Sequence, residues 1–237
     1  MNGARALSGV RRPPWSVVCD FDGTIALEDV TDALLLRFAR AGWRELEVAW
    51  EAGRISARTC IAGQVALLDC SREELEAFVG EIAIDPAFDA FVAAVHADGG
   101  SLVIASDGLD AVIAAMLARA AVRGLDVRAS RLVQLGRREW QLSFPHARTG
   151  CGAATCKCAC LREGEGRTLF VGDGASDFCA ARRAEMTFAK SSLHEHCAEH
   201  GVSHRPIRDF ADALAAWRAL ADDASSLPAS RAREEVA

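Results

Sequence analysis

Apolar residues along the chain fall into short strand-like runs and longer helical runs. The first run, Trp15 to Cys19, is apolar and partly β-branched and stops at an acidic segment, which predicts a buried strand ending in a loop. From Thr31 to Ile84 the apolar residues recur at spacings of three and four, which predicts helices with no strand between them. Ser71, with Glu74 three residues later, is a capping-box pattern that predicts the start of one of these helices.

After Asp85-Pro86, strand and helix patterns alternate. The predicted elements are a helix over 88–95, a strand over 102–105, a helix over 112–117, a β-hairpin over 127–144, a strand over 169–171, a helix over 178–183 and a strand over 186–188. Such alternation is typical of a parallel sheet covered by helices, in which functional residues gather at the carboxyl ends of the strands. We therefore predict an α/β fold with a doubly wound parallel sheet and a helical cap inserted after the first strand.

These patterns divide the chain into a core and an insertion. Residues 15–27 and 86–220 are predicted to form the α/β core, and residues 28–85 the helical insertion. Residues 1–14 and 221–237 lack apolar periodicity and are predicted to be flexible ends. The length of 237 residues, of which 51% are hydrophobic, is enough to bury a core of this size with one inserted unit.

Composition narrows the range of partners. The formal net charge of -6 argues against nucleic-acid binding, which needs basic residues gathered on one face. No apolar run approaches the ~20 residues that span a bilayer, and no apolar segment follows the arginines near the N-terminus, so we predict a cytoplasmic protein without a membrane partner. The nine cysteines are odd in number and come without an export signal, which favours reduced thiols.

Clusters of polar residues follow three of the predicted strands. They are Asp20-Phe21-Asp22-Gly23-Thr24, Ser106-Asp107-Gly108 and Gly172-Asp173-Gly174-Ala175-Ser176-Asp177. In a doubly wound sheet these strand ends lie side by side, so several carboxylates would share one crevice. Like charges this close repel, and the arrangement needs a cation or raised pKa values to persist. Mg²⁺, which prefers carboxylate, carbonyl and water oxygens, fits such a crevice best.

The three clusters resemble the motifs of the haloacid dehalogenase superfamily, whose first motif is an apolar strand followed by Asp-x-Asp-Gly-Thr. The likeness covers residues 15–210 and includes Ser106 after the second strand, Lys157 ahead of the last strand, and the Gly-Asp-Gly-x-Ser-Asp segment at 172–177. Within the superfamily the chain is similar to the phosphoserine-phosphatase-like branch, and most of all to methionine-salvage phosphatases that act on a 2-hydroxy-3-keto-5-methylthiopentenyl phosphate. That similarity lies in residues 20–29, 84–88, 106–110 and 151–157. The Cys-x-x-Cys-Lys expected in that branch is altered here to Ala153-Ala154-Thr155-Cys156-Lys157, which leaves the substrate open.

The resemblance implies a Mg²⁺-dependent hydrolysis of a small phosphorylated metabolite through an aspartyl-phosphate. Asp20 would attack phosphorus, which divides a difficult hydrolysis into two easier steps. Asp22 would protonate the leaving oxygen and later accept a proton from the attacking water. The groups implied to bind phosphate oxygens are Lys157, Ser106 and the segments around Gly23, Asp107 and Gly108. The implied metal ligands are Asp20, the backbone carbonyl of Asp22, Asp173 and Asp177.

The resemblance also gives the helical insertion a role, since relatives of this type carry a helical cap that closes over the site and excludes water. Substrate selection is then expected within residues 28–85. Asp29 occupies the position where phosphoserine phosphatases carry a substrate-facing acidic residue. Glu28 lies beside it in the sequence, and Arg58 offers a cationic contact.

Two other functions stay open at the level of the sequence. The same intermediate could pass its phosphate to an alcohol instead of water, which would make the protein a phosphotransferase. A catalytically idle relative would bind a phosphorylated ligand, or a metal through its cysteines. Cys151, Cys156, Cys158 and Cys160 lie near His146, but their spacing lacks the paired Cys-x-x-Cys of structural zinc sites. That spacing favours ordinary thiols, with a redox-labile pair left open.

Overall fold

The structure is a computed structural model that describes residues 14–226, with side chains described as far as residue 220. The strands are β1 (Trp15–Cys19), β2 (Ser101–Leu109), β3 (Asp126–Gly136), β4 (Glu139–Ser143), β5 (Arg167–Gly172), β6 (Met186–Ala189) and β7 (His204–Pro206). The helices are α1 (Val30–Phe38), α2 (Trp43–Glu51), α3 (Ala57–Ala66), α4 (Arg72–Val79), α5 (Phe88–Ala97), α6 (Asp110–Arg119), α7 (Lys157–Glu163), α8 (Phe178–Ala181), α9 (Ser191–Glu199) and α10 (Phe210–Ser226). One turn of 3-10 helix, Ala175–Asp177, precedes α8.

Within the described residues, the strands form one seven-stranded sheet with the order β4-β3-β2-β1-β5-β6-β7. All neighbouring pairs are parallel except β3 and β4, which form the antiparallel hairpin predicted over 127–144. The central strand β1 lies between β2 and β5, and Cys19 is in register with Ile104 on one side and Val171 on the other. The carboxyl ends of β1, β2 and β5 therefore meet at one edge.

Helices cover both faces of this sheet. β1 is buried on both faces from Ser16 onward, as its continuous apolar sequence predicts for a central parallel strand. Val17 belongs to one hydrophobic cluster, to which α5 and α10 contribute Phe88, Phe210 and Trp217. Val18 belongs to the other cluster, which contains buried residues of α7 and α9. The predicted α/β fold with a doubly wound, mostly parallel sheet is thus confirmed.

The insertion consists of helices, as the apolar spacing predicts. α1 to α4 follow β1, and the chain enters and leaves the insertion through a short antiparallel bridge between Ala26 and Ile84. The capping box is present at the start of α4, where the Ser71 hydroxyl accepts from the Glu74 amide and the Glu74 carboxylate accepts from the Ser71 amide. Leu34 and Leu75 belong to the same hydrophobic cluster as the sheet, so the insertion and the core share buried apolar surface. Whether residues 28–85 behave as a separate unit stays a prediction.

Some elements differ from the sequence predictions. β2 continues through Ser106–Gly108 to Leu109, with a shift of register against β3 between Ala105 and Leu109. Four elements, α7, α9, β7 and α10, have no counterpart among the predicted elements, and α10 extends into the predicted C-terminal tail. The rest of that tail, residues 227–237, and residues 1–13 lie outside the described part of the chain. No helix within residues 14–226 is long and apolar enough to cross a membrane.

Candidate active site

The three polar clusters meet at the carboxyl edge of the sheet and line one cavity. Asp20 follows β1 directly, and its amide still donates to the carbonyl of Val171 in β5, at 2.9 Å. The residues that line the sheet side of the cavity include Asp20, Asp22, Ser106, Asp107, Lys157 and Asp173. The opposite side is lined by the insertion, including Asp29, Asp32, Glu47, Trp50, Cys60 and Gln64. The adjacency of strands predicted from the alternating pattern thus produces a single acidic crevice.

Lys157 is the cation at the centre of this crevice. Its side chain is 4% exposed, and its Nζ lies 2.7 Å from Asp20 Oδ2 and 2.5 Å from Asp177 Oδ1. A third hydrogen bond runs from Nζ to Ser176 Oγ, at 3.0 Å. Burial alone would lower the pKa of Lys157, but the charges of Asp177 and Asp20 outweigh burial and raise that pKa well above its usual value. Lys157 is therefore charged and holds two buried carboxylates together.

Asp20 and Asp22 lie in different environments. Both oxygens of Asp20 are held, because Oδ1 accepts from the Phe21 amide at 2.8 Å and Oδ2 from Lys157. Burial, and then the charge of Asp177, raises the pKa of Asp20. Burial, and then the charge of Asp29, raises the pKa of Asp22 to about 8. Asp22 is therefore able to carry a proton near neutral pH, as a general acid must.

Two glycines let the backbone come close to these carboxylates. Gly23 has a left-handed φ of 65°, and a Cβ at this position would lie 2.5 Å from Asp173 Oδ2. A Cβ at Gly108 would lie 2.5 Å from Asp22 Oδ2. Their amides, however, are already hydrogen bonded: Gly23 donates to the Glu28 carbonyl at 3.1 Å and Gly108 to Ser106 Oγ at 2.9 Å. In this conformation neither amide is free for the phosphate contact that the resemblance implies.

Asp107 has a different position from the one its motif suggests. Its Oδ1 accepts from the Thr155 amide at 2.6 Å, and its backbone carbonyl accepts from Ser130 Oγ at 2.8 Å. A carboxylate adds negative charge beside a phosphate, so Asp107 is poorly suited to bind one through its side chain. Its contacts instead tie the end of β2 to the segment that leads into Lys157. Ser106, 1% exposed and lining the cavity, keeps a hydroxyl that can donate to a phosphate oxygen.

A divalent cation suits the carboxylates at the bottom of the crevice. Within the described residues, Asp20, Asp173 and Asp177 each offer an oxygen within 4.8 Å of the others. Burial, and then the charge of Asp177, raises the pKa of Asp173. Asp177 is fully buried, and its Oδ2 accepts from the amides of Asp173 and Gly174 while Oδ1 binds Lys157. A set of hard oxygen donors of this kind fits Mg²⁺, with Asp177 placed to orient its neighbours.

The three residues predicted to select the substrate are placed very differently. Asp29 lines the cavity and also caps α1, since its Oδ1 accepts from the Asp32 amide at 2.8 Å. Glu28 is exposed and is not among the lining residues. Arg58 donates from its guanidinium to the carbonyls of Cys151, at 2.6 Å, and Ala153, at 3.0 Å. It fastens α3 to the loop before α7 and does not reach the cavity.

Several residues of the crevice are not among those predicted from the sequence. Glu47 and Gln64 face each other from α2 and α3, and Gln64 Nε2 donates to Glu47 Oε2 at 2.7 Å. Gln64 is 4% exposed. Its polar side chain among the apolar residues of a predicted helix is the signal that could have identified it. Lys190 contacts the loop after β1. The scarcity of lysine could have identified it, because Lys157 and Lys190 are the only lysines of the chain.

The cysteines near Lys157 are thiols of the second hydrophobic cluster. Cys156, Cys158 and Cys160 are buried, and Cys158 Sγ lies 3.3 Å from Cys179 Sγ. His146 meets this group through its backbone carbonyl, which accepts from the Cys156 amide. In the described part of the chain, the one group of residues close enough together to hold a metal ion is Asp20, Asp173 and Asp177. The geometry therefore does not favour zinc at the cysteines.

Fold and site together define a protein of the doubly wound α/β class, with a cluster of acidic residues at the carboxyl ends of its parallel strands. A family model described as haloacid dehalogenase-like hydrolase matches residues 17–182, and the chain belongs to this family. It is a phosphatase of the haloacid dehalogenase type.

Named relatives support this assignment, and solved structures share the fold. The chain is 30% identical to the 2-hydroxy-3-keto-5-methylthiopentenyl-1-phosphate phosphatase of Bacillus velezensis, over 82% of this chain and 86% of that protein. It is 29% identical to the protein of the same name from Geobacillus kaustophilus, over 85% of this chain and 94% of that protein. A substrate-bound phosphoserine phosphatase has the same fold, with a TM-score of 0.64, 17% identity and coverage of 86% of this chain and 98% of that one. A phospho-aspartyl intermediate analogue of phosphoserine phosphatase gives a TM-score of 0.65 at 18% identity, covering 87% and 99% of the two chains.

Proposed function

We propose that the protein hydrolyses a small phosphomonoester, with Mg²⁺ as cofactor and an aspartyl-phosphate on Asp20 as intermediate. The observation that carries this proposal is the pairing of two carboxyl groups at one cavity. Asp20 is held by Lys157 and a backbone amide, while Asp22 beside it has a pKa raised to about 8. One group is fixed for attack, and the other can hold the proton that a leaving alkoxide needs.

The residues divide the reaction into two steps. In the first, an oxygen of Asp20 forms a bond to phosphorus, the ester P–O bond breaks, and Asp22 gives its proton to the leaving oxygen. In the second, Asp22 takes a proton from a water molecule whose oxygen attacks phosphorus, and the Asp20 carboxylate is released with inorganic phosphate. In both steps Lys157 supplies positive charge beside the phosphate, and the Ser106 hydroxyl donates a hydrogen bond to a phosphate oxygen.

The proposed metal ligands are the carboxylates of Asp20 and Asp173 and the backbone carbonyl of Asp22. When bound, Mg²⁺ supplies positive charge that offsets the repulsion between these carboxylates and the phosphate dianion. Asp177 would orient the set, because its carboxylate holds Lys157 on one side and the amide of Asp173 on the other. The helical insertion is proposed to act as a cap that selects the alcohol part of the ester.

Phosphate release should depend on Mg²⁺. We expect the purified chain to release phosphate from small esters with Mg²⁺ present, to lose at least about 90% of that rate with excess chelator, and to regain it when Mg²⁺ is added back. The measurement is inorganic phosphate against time for a panel that includes a reactive aryl phosphate.

Two outcomes of this experiment would contradict the proposed hydrolysis. No release from any ester, the aryl phosphate included, would favour the non-catalytic binding protein. Transfer of phosphate to an added alcohol, in place of its release, would favour the phosphotransferase.

Two substrate classes have separate support. The names of the relatives favour a methionine-salvage phosphate, which has no cationic group. The insertion side of the cavity carries the carboxylates of Asp29, Asp32 and Glu47, and among the described residues that line this side there is no lysine or arginine. The Gln64 amide fixes the Glu47 carboxylate. These charges favour an ester whose alcohol part carries an ammonium group, as phosphoserine and phosphoethanolamine do. The carboxylate that phosphoserine also carries has no cationic partner among the described residues that line this side.

Substitution of Glu47 separates the two classes. If the insertion selects an ammonium group, Glu47→Gln should raise KM about tenfold for phosphoserine and phosphoethanolamine and change KM for uncharged alkyl phosphates by less than about twofold. Glu45→Gln on the same helix is the matched control, since Glu45 is exposed and does not line the cavity. Equal effects of Glu47→Gln on both groups of esters would leave the methionine-salvage phosphate as the leading substrate.

A further inference from the structure

The two lysines of this chain both reach the loops that carry the catalytic carboxylates. The chain has 27 basic residues of the Lys and Arg type, and all except Lys157 and Lys190 are arginines. Lysine differs from arginine in presenting a compact charge with three donors that point in different directions. Lys157 uses its donors on Asp20, Asp177 and Ser176. Lys190 plays no part in the mechanism proposed above, yet its ammonium group contacts the loop that carries Asp20 and Asp22.

Lys190 connects the end of β5 to the turn that follows Asp22. It comes directly after β6 and caps the start of α9, and its backbone amide donates to the carbonyl of Gly172 at 2.9 Å. Its Nζ donates to the carbonyls of Gly23, at 2.9 Å, and Thr24, at 3.2 Å. Two adjacent carbonyl oxygens that face the same way repel each other, and one ammonium group between them removes that repulsion.

The same turn is linked back to Asp173. Thr24 Oγ1 donates to Asp173 Oδ1 at 2.8 Å, which sets the direction of that carboxylate. The Asp173 carbonyl accepts from the Leu193 amide at 2.9 Å and from Ser192 Oγ at 3.2 Å. These hydrogen bonds form one network, which connects Lys190 to Thr24, Thr24 to Asp173, and Asp173 to the first turn of α9.

We propose that Lys190 is a positioning residue for phosphoryl transfer. It fixes the Gly23–Thr24 turn, so that Asp22 keeps its place beside Gly108 and Asp173 keeps its orientation through Thr24. The inference rests on the proposed function, since it names a further residue of the same site. Lys190 does not touch the reacting atoms, and its removal should slow the chemical step more than it weakens substrate binding.

Lys190→Met is the variant that removes the ammonium group and keeps the length of the side chain. We expect kcat to fall about 10- to 100-fold with KM changed by less than about twofold, and Lys190→Arg to recover part of the loss. Hydrogen exchange followed by mass spectrometry should show faster exchange for the amides of residues 21–26. Arg208→Met is the control, because Arg208 has an 85% exposed side chain paired with Asp212 and should change neither kcat nor this exchange. If Lys190→Met is too unstable to assay, Lys190→Gln, which keeps one neutral donor, takes its place in the comparison.

Three results would overturn the inference. One is an unchanged kcat, and a second is a rise in KM alone. The third is a fall in kcat with unchanged exchange over residues 21–26, because that combination indicates loss of charge near the phosphate and not loss of position. Failure of the proposed function is recognised separately, because the native chain would then release no phosphate. The exchange measurement would still report whether Lys190 fixes the Gly23–Thr24 turn.

Discussion

Asp20→Asn should lower phosphate release by about 10⁴-fold or more, because an amide cannot form the proposed phosphoryl bond to the enzyme. Asparagine has the shape of aspartate, so the hydrogen bond from the Phe21 amide can persist. The loss should therefore appear in kcat without a change of fold. The measurement is steady-state phosphate release with Mg²⁺, together with the melting temperature of native and variant proteins.

The matched variant is Asp22→Asn, which removes the proposed acid and keeps the nucleophile. Activity on alkyl phosphates should fall steeply, whereas activity on an aryl phosphate should fall much less, because a phenolate leaves without a proton. Asp20→Asn should abolish both activities equally. Full turnover by Asp20→Asn on either type of ester would remove the nucleophile from the mechanism.

Lys157→Met is expected to have the second-largest effect, on stability as well as on turnover. The substitution leaves Asp20 and Asp177 buried without their counterion. Breaking a buried ion pair by removing one partner costs about 3–5 kcal/mol, because an uncompensated charge stays behind. Turnover should fall by about 10³-fold, since the phosphate also loses its cation. Urea unfolding followed by circular dichroism measures the first effect, and phosphate release the second.

A double variant separates these two effects of Lys157. Lys157→Met combined with Asp177→Asn removes one of the two stranded charges and leaves that of Asp20. The Asn carbonyl oxygen can still accept from the amides of Asp173 and Gly174. The free energy of unfolding should recover by at least half, while turnover should stay low. A Lys157→Met protein as stable as the native chain would show that the buried pair contributes nothing to the fold.

The pattern of apolar residues is enough to predict the fold class and most of the polar residues at the carboxyl edge of the sheet. Strand and helix periodicity are local properties, and parallel strands joined by helices place their carboxyl ends on one edge. The proximity of Asp20, Ser106 and Asp173 is therefore predictable, because each follows one of three short apolar runs that predict strands. Gly23 and Gly108 were also recognisable, and the structure supplies the reason: a Cβ at either position would collide with a carboxylate.

The contacts of each polar side chain, in contrast, depend on the three-dimensional packing of the chain. Arg58, a candidate substrate contact in the sequence, binds the carbonyls of Cys151 and Ala153. Glu47 and Gln64 come from two helices and meet on the insertion side of the cavity. Lys190 donates to Gly23, 167 residues earlier in the sequence. Periodicity tells which face of a helix is buried, but a hydrogen bond depends on where two distant segments are held within a few tenths of an ångström. That distance is set by the packing of the whole core.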